Sequence, residues 1–82
     1  MVSKYLRFVL IGDTGKTQVY NVLSVTQGSI LGRLLWYGPW RQYVFEPQPD
    51  TVWNKDCLRE VAEYLDNLMA ARRQGAKQPP LL

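Results

Sequence analysis

Eighty-two residues make one domain at most, and a chain this short hides only roughly two-thirds of the surface it exposes when unfolded, so its core is small. A hydrophobic share of 46% with 21% charged residues excludes a disordered chain, and ten bases interspersed with seven acids exclude a DNA mimic while giving little electrostatic footing for DNA binding. One cysteine and no histidine exclude an internal disulfide and leave zinc without its usual ligands.

No apolar run approaches the roughly 20 residues that span a bilayer. The start, M-V-S-K-Y-L-R-F, lacks the apolar segment and small-residue cleavage site of a signal peptide, so a cytoplasmic protein is expected.

Lys4 to Ile11 is rich in β-branched and aromatic residues and predicts a strand apolar on both faces. Gly12-Asp13-Thr14-Gly15-Lys16 supplies turn residues, and Thr17 to Val25 resumes an extended pattern, completing a hairpin. G-D-T-G-K-T resembles the end of a phosphate-binding P-loop. That pattern needs a glycine where this chain has Leu10 and a helix where it has Gln18-Val19-Tyr20-Asn21-Val22, so a plain turn is expected.

Thr26-Gln27-Gly28-Ser29 is a second turn, followed by strands over Ile30 to Tyr37 and Trp40 to Glu46. Gly38-Pro39 is an awkward two-residue connection, because proline pushes its preceding residue toward extended geometry, so either a cis bond or a slightly wider loop is expected and the register is open by one. Gln48 to Trp53, with Pro47 and Pro49, predicts an extended crossover. Asn54 or Asp56 can cap a helix over Asp56 to Arg73. Leu58, Val61, Leu65 and Leu68 recur there at helical spacing, flanked by Ala62 and Met69, while Arg72 and Arg73 complement the dipole at its end. Gly75 is expected to stop it, giving a domain over 1–75 and a flexible tail over 76–82. The fold class is α+β: a four-stranded antiparallel meander with one C-terminal amphipathic helix packed on one face.

Five of the ten aromatic residues fall between Trp36 and Phe45. With a Gly38-Pro39 loop, Trp36 opposes Arg41, Tyr37 opposes Trp40 and Leu34 opposes Tyr43. One face then holds Leu34, Trp36, Tyr43, Phe45 and Arg41; the other holds Arg33, Leu35, Tyr37, Trp40, Gln42 and Val44. A single helix covers one face only, so the other needs a second copy of the chain or a ligand, and a homo-oligomer is expected. Core and dimer interface is one reading of these aromatics. The sharper one is a site for a phosphorylated nucleotide, in which Arg41, supported by Arg33, pairs the anion while Trp36, Tyr37, Trp40 or Tyr43 stacks on the ring.

W-Y-G-P-W-R-Q-Y-V-F-E-P, followed by a helix opening near Cys57-Leu58, resembles a family of short, mostly uncharacterised proteins of tailed phages and prophages. W-x-G-P-W-R-x-Y is its most specific part, and the resemblance runs from Lys4 to Arg73. It implies no catalytic residue; it implies a context in which small proteins inhibit host defence by sequestering a signal molecule or blocking a host protein. Cys57 near a helix start is the one feature that could favour a reactive thiol, yet no base accompanies it, so no enzyme, metal or cofactor is expected. Sequestration of a nucleotide ranks first, inhibition of a host defence protein second, and nucleic-acid binding last.

Overall fold

A computed structural model describes residues 5–77, with the side chains of residues 5–73. It shows four strands, β1 (Leu6–Asp13), β2 (Gln18–Ser24), β3 (Ile30–Tyr37) and β4 (Gln42–Pro47), and one helix, α1 (Lys55–Lys77). The strands pair antiparallel in chain order, the expected meander.

Each turn is closed by residues suited to it. After β1, the Gly15 N–H donates to Asp13 Oδ1 at 2.8 Å and Thr14 N–H to the Thr17 carbonyl at 2.9 Å, with Gly15 at φ +87. This is a turn inside a hairpin with no helix behind it. After β2, the Gly28 N–H donates to the Ser24 carbonyl at 2.8 Å.

The third connection is the wider of the two expected alternatives, with no cis peptide bond among the described residues. Gly38–Trp40 forms a single 3₁₀ turn closed by the Arg41 N–H on the Gly38 carbonyl at 3.0 Å, and Arg41 stands in the left-handed region at φ 55, ψ 46. The loop thus spans four residues, and β4 begins at Gln42 in place of Trp40. Tyr37 pairs Gln42, Trp36 pairs Tyr43, Leu34 pairs Phe45 and Gly32 pairs Pro47. The register is displaced by two, and because side chains alternate with a period of two, every strand residue keeps its expected face. Arg41 and Trp40 leave the ladder.

The inner face carries Leu6, Val22, Leu34 and Tyr43, all buried, with Phe8, Tyr20, Trp36 and Phe45 around them. Gly32 is required there: a Cβ would lie 2.6 Å from Phe45 Cε1 and 2.7 Å from the Glu46 carbonyl oxygen. The space lets the Phe45 ring lie over the strand and meet Trp53 edge-on at 4.7 Å. The crossover makes a turn at Pro49-Asp50, in which Asp50 has φ 62, and runs without regular structure over residues 51–54.

Asn54 is the cap. Its Oδ1 accepts the Cys57 N–H at 2.8 Å, and Asp56 follows inside the first turn. The buried stripe of α1 is Cys57, Val61, Tyr64, Leu65, Leu68 and Met69. Leu58 is 47% exposed and Ala62 lies in solvent, so the stripe sits one residue earlier at the helix start than expected. Tyr64 stacks on Phe8 at 4.1 Å. The helix runs through Gly75 to Lys77, because one glycine inside a helix costs only about 1 kcal/mol and no proline follows until Pro79. Ala76 and Lys77 are therefore helical, and the rest of the expected tail, 78–82, lies outside the described residues, as does Lys4.

Candidate functional site

The six residues expected to form one site are divided among three places. Trp36 and Tyr43 point to the inner face and meet edge-on at 5.4 Å. Tyr43 is buried; its hydroxyl accepts the Gln18 N–H at 3.0 Å and its own N–H donates to Met69 Sδ at 3.4 Å, so it joins β4 to β2 and to α1. Tyr37 and Trp40 form an edge-on pair at 5.1 Å at the hairpin tip, with Trp40 66% exposed and Arg41 beside it in solvent. Arg33 is on the outer face, where Nε and Nη2 both donate to Glu46 Oε1, at 3.0 and 2.6 Å.

An arginine does lie on a tryptophan, but it comes from the helix. The guanidinium carbon of Arg72 sits 4.0 Å over the centre of the Trp36 ring. Its Nη1 donates to the Lys16 carbonyl at 2.7 Å, fastening the end of α1 to the β1–β2 turn. Residue 72 is four past Leu68 and three past Met69, so it belongs to the sheet-facing stripe, where a long stem can pack while its charged head reaches the edge. That spacing was the signal available in the sequence; counting Arg72 only as a charge at the helix end missed it.

Between the β1–β2 turn and α1 lies an open cleft of about 580 Å³, lined by Asp13, Gly15, Lys16, Gln18, Tyr43, Leu68, Ala71 and Arg72. Leu68 and Ala71 give it an apolar wall. Two cations, Lys16 and Arg72, face one carboxylate, Asp13, which is already engaged by the Gly15 N–H. The Arg72 fork keeps Nε and Nη2 without a hydrogen-bond partner among the described residues, in a geometry suited to an oxyanion.

The thiol of Cys57 is packed against the core, and burial pushes its pKa above the ordinary 9.0. The Glu60 carboxylate adds to that rise; a hydrogen bond at Asn54 opposes it, and Asp56 contributes further. The helix start therefore does not activate this cysteine. Burial likewise raises the Tyr64 hydroxyl above 10.0, with neighbouring Tyr20 adding to the effect. No helix of the described residues is long and apolar enough to cross a membrane.

Over 73 residues the sequence is 34% identical to an uncharacterized 9.3 kDa protein of Acholeplasma phage L2, covering 88% of this chain and 94% of that one. The chain belongs to that protein's family of short phage proteins. Coverage of this extent takes in both the sheet and the helix, so the likeness is of whole domains. No protein-family model matches the chain, and no solved structure matches it significantly.

Proposed function

We propose that this phage protein is a non-catalytic binding protein of the bacterial host cytoplasm that sequesters a phosphorylated nucleotide signal, and so acts against host defence. The observation that carries the reading is the cleft between the β1–β2 turn and α1, whose guanidinium is held over Trp36 with two nitrogens open to an anion. Its volume falls within the range of small-molecule sites, about 300–1,000 Å³. The phosphate belongs on Arg72 and Lys16, and the uncharged body of the ligand lies along Leu68 and Ala71 with the Gln18 amide for a hydrogen bond. Cys57, partly buried against the core with its thiol pKa raised by that burial, supports a role without a nucleophile.

A second reading rests on a different surface. A tryptophan 66% exposed beside a tyrosine and a solvent-exposed arginine has the composition of an interface hot spot, which supports a hairpin tip that blocks a host protein.

Calorimetry with cyclic dinucleotides, cyclic ADP-ribose isomers and linear nucleotides tests sequestration. A charge-assisted contact is worth about 1.5–3 kcal/mol, so Arg72→Ala should weaken binding about ten- to a hundredfold, and Arg72→Lys should recover only part of it. Arg41→Ala and Trp40→Ala should leave it unchanged. Circular dichroism must accompany Arg72→Ala, since the stem packs on Trp36. If Arg41→Ala weakens binding and a folded Arg72→Ala does not, the site is the hairpin tip. Absence of heat with every nucleotide would overturn sequestration.

A further inference from the structure

Among the described residues, no helix or strand lies over the sheet face turned away from α1. It mixes aliphatic and polar side chains: Leu35 and Val44 pair across β3 and β4, while Leu23 on β2 stands opposite Arg7 on β1. One cross-strand row, Val9, Asn21, Arg33 and Glu46, crosses all four strands, and its two charges sit together. Arg33 spends two nitrogens on a single carboxylate oxygen of Glu46, leaving Nη1 and Oε2 without partners among the described residues.

We propose that this face is the contact between two copies of the chain, related by a two-fold axis that sets the Arg33–Glu46 pair of one copy against the Glu46–Arg33 pair of the other. In such an interface residue i meets j while j meets i, so a side-by-side pair of opposite charges is complementary to itself. Each free Nη1 then finds the other copy's free Oε2, closing a four-membered ring of charges with all its hydrogen-bonding groups used. The aliphatic flanks, Leu35 and Val44 above all, supply the apolar burial that drives association. The Arg33–Glu46 centre is neutral and suits an identical surface, with the basic Arg7 on the outer strand β1, away from that centre. Nucleotide sequestration does not depend on this contact, since the cleft is on the opposite side of the sheet.

Sedimentation velocity from low micromolar to near-millimolar concentration tests the inference. The expected species has twice the 9.5 kDa mass of the chain. Arg33→Glu and Glu46→Arg, each of which sets like charges against each other across the axis, should raise the dissociation constant about tenfold or more, and the double reversal should restore it. Leu35→Lys should give a folded single chain, with circular dichroism as the check. A single-chain mass at every concentration overturns the proposal. So does a dimer that withstands both Leu35→Lys and the single reversals.

Discussion

Gly32 shows how one missing atom shapes the inner face. A methyl at this position would press on the Phe45 ring and on the Glu46 carbonyl, which belongs to the adjoining strand and cannot swing aside as a side chain could. Gly32→Ala should therefore destabilise the fold by about 1–3 kcal/mol, the range for overpacked sites, read as a lowered midpoint of urea unfolding. Arg33 illustrates the converse. Its ion pair with Glu46 has side-chain exposures of 42% and 55%, so within one chain it adds at most about 1 kcal/mol.

At the scale of elements, α1 depends on its first turn and on its far contacts. Asn54 caps it through the Cys57 N–H, while Arg72 holds its later turns to the β1–β2 turn through the Lys16 carbonyl. Asn54→Ala should cost about 1 kcal/mol, which in a domain of this size lowers the melting temperature by about 4–8 °C. Asn54→Asp should retain most of the stability, because a carboxylate also accepts the orphan N–H groups. The hairpin of β3 and β4 obeys a different rule: the loop grew from two residues to four, and the even increment preserved which side chains face the helix.

For the whole molecule, the raised pKa values of Cys57 and Tyr64 tie folding to alkaline pH. The unfolded chain gives up these protons near the ordinary values of 9.0 and 10.0, whereas the folded chain holds them to higher pH. Their contribution is thus fully present below pH 9 and is lost as pH climbs through the folded values. The melting temperature should be level near neutrality with respect to these two groups and fall in alkali, and the double variant Cys57→Ala with Tyr64→Phe should flatten that fall. An equally steep decline in the variant would assign it to other groups.

The α+β class, the four-strand order and the face of each ladder residue in β3 and β4 were legible in the residues, because they follow from local periodicity: alternation in the strands, three-and-four spacing in the helix, turn chemistry between them. The hairpin loop was not, since the choice between two residues and four rested on whether Arg41 could take a left-handed backbone within a 3₁₀ turn. Nor was the helix stripe to the residue, since Leu58 and Cys57 both suit an apolar position until the crossover from Pro47 sets the rotation of the helix. The stacking of Arg72 on Trp36 was not legible either. Trp36 could be assigned to a face from its own strand, but its partner lies 36 residues further along, and only packing α1 across the sheet brings Arg72 over that ring and into a hydrogen bond with the Lys16 carbonyl.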